Sequence, residues 1–317
     1  MKKLLAFIIL LIIGVFGAWK YIDSVILQPL SYDTPIIFEI SKGMSARKTA
    51  EKLEKENLVP HFVIAQLAMR FFGFDKSLKA GEYLLEAHMS LKDILQKLTS
   101  GKVIMHTLTL PEGLTTAQML SIITRDAFLS GEITEPVSEG EMLPETYTFA
   151  KGELRDNIIK KAKSDMKQTL DKIWESRDEN LPLQSKEEML ILASIIEKET
   201  GVNAERGLVA SVFYNRLKMD MPLQTDPTVI YALTLGRSDL GRSLKHQDLE
   251  IQSPYNTYIH KGLPPTPICG AGVEALEAAA HPAKSPYLYF VADGNGGHRF
   301  AETLSEHNKN IKLWLKK

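Results

Sequence analysis

The chain has 317 residues, which is enough for two or three domains and a sizeable core. A net charge of −1 gives no overall field that would attract nucleic acid, and a hydrophobic content of 44% is ordinary for a globular protein. The single cysteine, Cys269, and the absence of an HExxH spacing among the histidines argue against a disulfide framework and a metal enzyme. We therefore expect no metal and no other cofactor.

The N-terminus begins with two lysines and an uncharged run from Leu4 to Trp19. As a helix this run would span about 24 Å, somewhat less than a typical hydrocarbon core. It is either a cleaved signal peptide, with an imperfect cleavage site at residues 15–17, or a short signal anchor. We favour a single-pass anchor over residues 1–21 in the inner (cytoplasmic) membrane, with the N-terminus in the cytoplasm and the remaining chain outside.

A tether over residues 22–35 is predicted to lead into a repeated unit of strand, turn and capped helix. Ser45, Ser90 and Thr115 occupy the N-cap positions of the three helices. The uneven spacing excludes a solenoid. With a second helix between the first two units, residues 36–104 have the order β-α-α-β, which resembles a LysM, a peptidoglycan-binding module. A generic α+β spacer is the alternative.

The remaining chain is predicted as a strand-helix extension over residues 105–135 and a catalytic domain over residues 136–317. Residues 135–152 are interpreted as a turn-rich linker, and residues 157–177 as an amphipathic helix. The expected fold class is α+β, with an N-terminal anchor, a small LysM-like module and a mixed helical and β catalytic domain.

A helix predicted over Ser185–Gly201 carries the first candidate site residue. Glu197 shares an apolar stripe with Leu190 and Ala193, and burial there would raise its pKa, as a general acid requires. Glu199 is predicted to point away from Glu197 and to stay solvated. The alternative for Glu197 is a frayed last turn that faces water.

Further candidates follow this helix. Asp226 before Pro227 is typical of an N-cap and first helical residue, so Asp226 has a structural explanation. The aperiodic loop over residues 252–270 combines aromatic, amide and proline residues and suits a polar ring-shaped ligand. His298 follows a glycine-rich turn that lacks the context of a phosphate-binding loop, so it either contacts ligand or caps the turn.

Four stretches resemble the YceG-like family of endolytic murein transglycosylases. They are ASIIEKET (193–200), LQTDPTVIYAL (223–233), SPYNTYIHKGLPPTPI (253–268) and GGHRF followed by EHN (296–308). Their order matches the family, and the resemblance extends over nearly the whole chain. It places the catalytic glutamate of the family on Glu197, the first glutamate of EKET. By motif membership it suggests substrate contacts from Gln224, Thr225, Asp226, Tyr255, Asn256 and His298.

The resemblance implies cleavage between N-acetylmuramic acid and N-acetylglucosamine without water, leaving a 1,6-anhydro end. One carboxyl group suffices, because it protonates the leaving oxygen and then takes the proton of the sugar's own C6 hydroxyl, a nucleophile of high effective molarity. The resemblance also implies peptidoglycan strands as substrate, a role in ending the elongation of nascent strands, and membrane-bound peptidoglycan synthases as partners. It implies no nucleic acid.

Two other functions remain open from the residues. A glycan hydrolase would pair Glu197 with Asp226 and leave a reducing end. A non-catalytic, membrane-tethered peptidoglycan-binding scaffold would keep its function after Glu197→Gln. The SxxK pattern at residues 45–48 lacks the SDN and KTG motifs of serine acyl-enzymes, and Ser45 has a role as a helix cap, so we reject that class.

Overall fold

The computed structural model describes residues 2–316, and side chains from Phe7 onward except those of Ala18 and Ile22. The chain forms two compact units. The first holds the chain up to His106 together with Thr148–Glu153, and the second holds Thr107–Tyr147 and the chain from Leu154 onward. Helices and short antiparallel strands occur in both, so the predicted mixed α+β class is confirmed.

The first unit opens with one long apolar helix, α1 (Lys2–Leu27). Within it, Phe7–Leu27 is long and apolar enough to cross a membrane, and its 21 residues extend about 32 Å. The helix is longer than the uncharged run suggested, because the residues after Lys20 stay helical. The segment predicted as a tether therefore begins inside α1, and Ile26 is buried in the core of the unit.

A small α+β module follows α1. It consists of β1 (Ile36–Ile40), α2 (Ala46–Lys55), α3 (Phe62–Phe71), β2 (Gly81–Leu85) and α4 (Leu91–Ser100). β1 and β2 pair antiparallel, with Ile36 opposite Leu85. Ser45 and Ser90 accept the backbone N–H groups expected of N-caps. The β-α-α-β order is present, and the likeness to a LysM module stays a prediction.

A second two-stranded sheet is formed by β3 (Met105–Thr109) and β4 (Thr146–Ala150). Between them lies α5 (Thr116–Arg125), whose predicted N-cap at Thr115 is confirmed and is completed to a capping box by Gln118. The prediction of a linker over residues 135–152 was wrong for β4. Its alternating burial, with Tyr147 and Phe149 inside, is the period-2 pattern of a half-buried strand.

The second unit is built around a helix that is apolar on nearly every side. The helices are α6 (Arg155–Ser176), α7 (Lys186–Glu199), α8 (Asn203–Lys218), α9 (Asp226–Thr234) and α10 (Val273–Ala280). α7 packs against each of the other four, and all its residues from Met189 to Ile196 are buried. A helix enclosed in this way holds its last turn in a fixed position.

A hairpin and a terminal helix complete the second unit. β5 (Tyr289–Ala292) pairs antiparallel with β6 (His298–Ala301), and α11 (Leu304–Trp314) packs against both strands. A short 3₁₀ helix (His246–Glu250) lies in the connection between α9 and α10. β5 and α11 contribute one wall of the site.

Candidate active site

The last turn of α7 ends earlier than the sequence pattern indicated. Its final helical residue is Glu199, and Thr200 is extended, with φ −144° and ψ 131°. The predicted stop at Gly201 is therefore two residues late. Thr200 is buried, so the exit of the chain is fixed by packing rather than by a left-handed glycine.

A cleft of about 470 Å³ opens beside this turn. Its polar lining comes from the end of α7, from α8 and from the start of α9. Its apolar lining comes mainly from β5 and α11. The described lining residues are Glu199, Arg216, Leu223, Gln224, Asp226, Tyr258, Tyr289, Phe290, Val291, Leu304, His307, Ile311 and Trp314.

Glu199 places its carboxyl group in this cleft. Burial raises the pKa of Glu199 to about 7, and the negative charge of Asp226 adds to the rise, whereas Thr225, His298 and Arg216 oppose it. The sequence pattern allowed Glu199 to stay solvated, whereas in the structure it is only partly exposed. Two residues turn the helix by about 200°, so Glu199 does face away from Glu197, but the face it occupies is covered by β5, α11 and the start of α9.

Glu197 lies outside the described lining of the cleft. Its carboxylate accepts hydrogen bonds from Nη2 of Arg206 at 3.1 Å and from the backbone N–H of Gly272 at 3.0 Å. The Glu197 and Arg206 side chains are each only 6% exposed. Burial raises the pKa of Glu197, and these two donors oppose the rise. Glu197 thus joins the end of α7 to α8 and to the start of α10. Its catalytic role stays a prediction.

Asp226 does not cap α9. It is the first helical residue, and Thr225 occupies the N-cap position. Oδ1 of Asp226 accepts a hydrogen bond of 2.7 Å from the Tyr258 hydroxyl, and burial raises the pKa of Tyr258 so that it remains a donor. The structural explanation that the sequence offered for Asp226 was therefore wrong. Its carboxylate shares the cleft with Glu199.

The residues before Asp226 hold a strained segment next to Glu199. Gln224 has φ +52°, in the left-handed region that residues other than glycine seldom adopt. Its N–H donates to the carbonyl of Thr257 at 3.0 Å, and its Oε1 accepts from Nη1 of Arg216 at 3.2 Å. Thr225 is buried behind it. Such strain persists where surrounding contacts over-determine it, and it is typical of functional sites.

Arg216 is a cleft residue that the sequence analysis missed. Its Nε donates to the carbonyl of Leu288 at 2.7 Å and its Nη1 to that of Leu223 at 3.0 Å, and the guanidinium lies 5.0 Å from the centre of the Tyr289 ring. These contacts tie α8 to β5 and to the Gln224 segment. Arg216 lies in an ordinary helical stretch outside the four motifs, so the sequence carried no signal for it.

Tyr255 and Asn256 shape the long loop instead of lining the cleft. The Tyr255 hydroxyl lies 2.8 Å from Oγ1 of Thr266. Asn256 is fully buried, and its amide donates to the carbonyls of Leu249 and Ile251. Because these groups are occupied by the protein itself, their geometry does not support the predicted substrate contacts.

His298 lies beside the cleft, and the carboxylate of Glu205 fixes its position. Its Nδ1 is 2.8 Å from Oε2 of Glu205, and its backbone N–H donates to Oε1 of the same carboxylate at 3.1 Å. The ring meets Phe290 edge to face. His298 acts on Glu199 electrostatically, whereas a direct contact to substrate stays a prediction.

The wall formed by β5 and α11 carries aromatic side chains, which the sequence analysis did not predict. The rings of Tyr289 and His307 stack at 5.1 Å, and Trp314 is exposed at the end of α11. Nδ1 of His307 is buried and has no hydrogen-bond partner among the described residues. The EHN stretch, already noted as a motif, was the signal that could have identified His307.

Comparison with known proteins agrees with this architecture. The profile of the YceG-like family matches residues 38–313. The chain belongs to the YceG-like family. It is 36% identical to the endolytic murein transglycosylase of Bacillus subtilis, over 96% of this chain and 91% of that protein. It is 29% identical to the protein of the same name from Streptococcus pneumoniae, over 97% of this chain but only 63% of that protein.

A solved structure shows the same fold in another YceG-like protein. The crystal structure of a yceG-like protein from Listeria monocytogenes aligns with a TM-score of 0.54 at 34% identity, over 88% of this chain and 99% of that chain. The family membership inferred from the four motifs is thereby confirmed.

Proposed function

We propose that this YceG-like protein is an endolytic murein transglycosylase that cleaves the glycosidic bond between N-acetylmuramic acid and N-acetylglucosamine and leaves a 1,6-anhydro end. Its similarity to two proteins of that name supports the reaction. The single observation that carries the chemistry is the Glu199 carboxyl group, with a pKa of about 7, in a cleft with an aromatic wall. A carboxyl group that is half protonated near neutral pH suits a general acid.

The acid is assigned to Glu199 and not to Glu197. Glu199 faces the cleft, where a sugar can reach it. Glu197 is the closer of two carboxylates beside the buried Arg206 guanidinium, since Glu112 lies 3.8 Å from the same Nη2. Protonating Glu197 to act as the acid would remove the stronger of these two ion pairs. Both glutamates belong to the EKET stretch, and the family resemblance places the catalytic glutamate on the first, Glu197, so the assignment to Glu199 departs from the resemblance and Glu197 stays the alternative.

In the proposed reaction, Glu199 gives its proton to the glycosidic oxygen as the bond to C1 of the N-acetylmuramic acid breaks. The Glu199 carboxylate then takes the proton of the C6 hydroxyl, and the C6 oxygen attacks C1. The proton returns to Glu199, so the cycle closes without water. The carboxylate of Asp226, held by Tyr258, is placed to stabilise the positive charge that develops at C1.

The cleft walls support a glycan as the ligand. Trp314 offers an aromatic face for the C–H surface of a sugar ring, and His307 and Gln224 offer polar groups. A second candidate, two-carboxylate hydrolysis, is favoured by one observation, namely that Asp226 shares the cleft with Glu199. A water activated by Asp226 would then replace the C6 hydroxyl as the nucleophile.

Mass spectrometry of muropeptides tests these assignments. Purified peptidoglycan is treated with the full-length protein in detergent. The proteins compared are the wild type, Glu199→Gln, Glu197→Gln and Asp226→Asn, and the folding of each variant is checked by thermal melting. We expect anhydro-muramyl products from wild type and from folded Glu197→Gln, and none from Glu199→Gln.

Three other results would contradict the proposal in different ways. Reducing ends from the wild type would indicate hydrolysis with Asp226 as the partner. Activity in Glu199→Gln together with its loss in folded Glu197→Gln would return the acid to Glu197. Binding to the sacculus without any products would indicate a scaffold.

We further propose that α1 is a single-pass anchor in the inner (cytoplasmic) membrane with its N-terminus inside, because two lysines precede the apolar run. The rest of the chain would then act outside, on nascent peptidoglycan strands beside membrane-bound synthases, with the LysM-like module binding the same polymer.

A reporter fused to the C-terminus tests this orientation. A reporter that is active only outside the cytoplasm should be active there. Cross-linking in cells should capture a synthase, and an inactive reporter would overturn the orientation.

A further inference from the structure

Helix α3 of the first unit has two apolar faces. On one face, Ala65, Ala68 and Met69 are fully buried in the core of the unit. On the other, Val63, Leu67 and Phe71 recur every four residues and are 40%, 55% and 81% exposed. None of the described residues covers this second face. An exposed apolar stripe of this regularity marks an interaction surface.

The stripe lies beside α1. A groove of about 620 Å³ is lined by Trp19, Ile26 and Leu27 from α1 and by Leu67 and Phe71 from α3. Its lining is mainly apolar, and Ala68 and Phe72 of the same module complete it. α1 and α3 therefore present one continuous apolar surface.

The end of α1 is fixed to the module, so this placement does not depend on a flexible connection. Ile26 is only 5% exposed. Beyond the helix, the N–H of Leu30 donates to the carbonyl of Met89 at 3.1 Å, and Pro29 pairs with Ser90 in an isolated bridge. Because α1 is fixed to the module that contains α3, the depth at which α1 lies in a membrane determines the depth of α3.

The charges along α1 indicate that depth. After the lysines at the N-terminus, the next charged residues are Lys20 and Asp23, and Trp19 and Tyr21 are exposed beside them. Aromatic residues next to the first charge are typical of a membrane–water boundary. The stretch from Trp19 to Leu27 that lines the groove covers about 12 Å of helix, comparable with the depth of an interfacial layer.

Basic groups border the same groove. Arg70 and Lys92 line it, and Asp23 is the one acidic residue among the described lining. Nζ of Lys92 lies 5.4 Å from the centre of the Phe72 ring, and Nζ of Lys20 lies 5.4 Å from that of Trp19. In a membrane, anionic lipid headgroups lie directly above apolar acyl chains. Cations beside an apolar surface are complementary to this arrangement, and more so than to the surface of a soluble protein.

We propose that α3 is an interfacial helix, with Val63, Leu67 and Phe71 inserted into the outer leaflet of the membrane that α1 crosses and with Arg70 and Lys92 on lipid headgroups. This inference rests on the proposed anchor. It places the first unit directly on the bilayer in one orientation. Two helices then attach the module to the membrane: α1 spans the bilayer, and α3 lies in the interface.

Depth measurements on spin labels test the inference with the full-length chain. The protein is reconstituted at a low ratio of protein to lipid in vesicles of phosphatidylethanolamine and phosphatidylglycerol. Single cysteines for labelling replace Phe71, Leu11 on α1, or Glu51 on the solvent face of α2, and the native Cys269 is buried. Each label is assayed for collisions with oxygen, which concentrates in lipid, and with a polar nickel chelate, which stays in water.

We expect oxygen to dominate at Leu11 and Phe71 and the nickel chelate to dominate at Glu51. Replacing Arg70 and Lys92 with Gln should shift the Phe71 label toward the nickel chelate. A Phe71 label as accessible to the chelate as the Glu51 label, with Leu11 still in lipid, would overturn the interfacial role of α3 but leave the anchor intact. A chelate-accessible Leu11 label would overturn the anchor and this inference together. Spin–spin broadening at Phe71 that disappears on dilution with unlabelled protein would show a second copy on the stripe and would also overturn the inference.

Discussion

Glu197 and Glu199 differ in their surroundings although one residue separates them. Glu197 is enclosed by Arg206 and the N–H of Gly272, whereas Glu199 lines a cleft with Asp226. For a single residue, the groups packed around a carboxyl group determine its pKa, because burial favours the neutral form and hydrogen-bond donors favour the charged form.

The first prediction concerns catalysis by Glu199. Glu199→Gln should lower the rate of anhydro-end formation by about 10²- to 10⁴-fold, the usual contribution of general acid–base catalysis. In the wild type, the rate should fall as the pH rises through about 7, because the protonated acid is lost. Initial rates from pH 5 to pH 9 measure both effects. A rate that rises through this range would contradict Glu199 as the acid.

The second prediction concerns stability and follows from the same pKa. Because folding raises the pKa of Glu199 from its ordinary value of 4.5 to about 7, its contribution to stability is fully present below pH 4.5 and is lost as the pH rises through 7. Glu199→Gln cannot ionise, so it should melt at a higher temperature than wild type at pH 8, with a smaller difference at pH 5. Equal melting temperatures at pH 8 would show that the carboxyl group is not buried as described.

At the scale of elements, α7 is useful because it is packed on all sides by α6, α8, α9 and α10. The enclosure fixes its last turn, and the ion pair of Glu197 with Arg206 connects that turn to α8. The cleft then forms where the start of α9, the hairpin and α11 meet the end of the helix.

The third prediction concerns the ion pair of Glu197. Glu197→Ala should lower the free energy of unfolding by about 1–3 kcal/mol, since it removes the closer partner of the buried Arg206 guanidinium and leaves the N–H of Gly272 without its acceptor. Glu112, at 3.8 Å, remains as the second ionic partner of Arg206. The matched control is Glu187→Ala, an exposed residue in the first turn of α7, which should cost less than about 1 kcal/mol. Urea unfolding of the full-length chain measures both, and equal effects would argue against a structural role for Glu197.

The fourth prediction concerns the aromatic wall. Trp314→Ala should weaken glycan binding by about 1 kcal/mol, which is roughly a fivefold rise in KM with little change in kcat, because stacking acts on ground state and transition state alike. Leu315→Ala, next to it and outside the described lining, should leave KM unchanged. Steady-state kinetics on purified glycan strands separates the two, and a loss in kcat alone would contradict the assignment.

At the scale of the whole molecule, the described residues include one large hydrophobic core cluster in each unit. The fifth prediction is that thermal unfolding shows two transitions. Leu98→Ala, a fully buried residue of the first unit, should destabilise only one of them, by about 2–5 kcal/mol. Calorimetry of the full-length chain measures this, and one transition that shifts as a whole would contradict independent cores.

The sequence by itself determined the family, the α+β class, the apolar N-terminal helix and most of the helix starts. These follow from local patterns, since apolar periodicity, N-cap residues and motif order act within a few residues of chain. The packed face of α6 and the caps at Ser45, Ser90 and Thr115 are examples.

Only the tertiary structure decided which of the two glutamates, Glu197 or Glu199, lines the cleft. Glu197 was selected because it shares a stripe with Leu190 and Ala193, but an apolar stripe shows that a residue is covered and not what covers it. Glu197 accepts hydrogen bonds from Arg206, nine residues further along the chain, and from the N–H of Gly272, 75 residues further. Glu199 shares its cleft with β5 and α11, which lie 90 to 115 residues further along the chain. Contacts between residues distant in sequence leave no local pattern, so the surroundings that distinguish the two glutamates exist only in the folded chain.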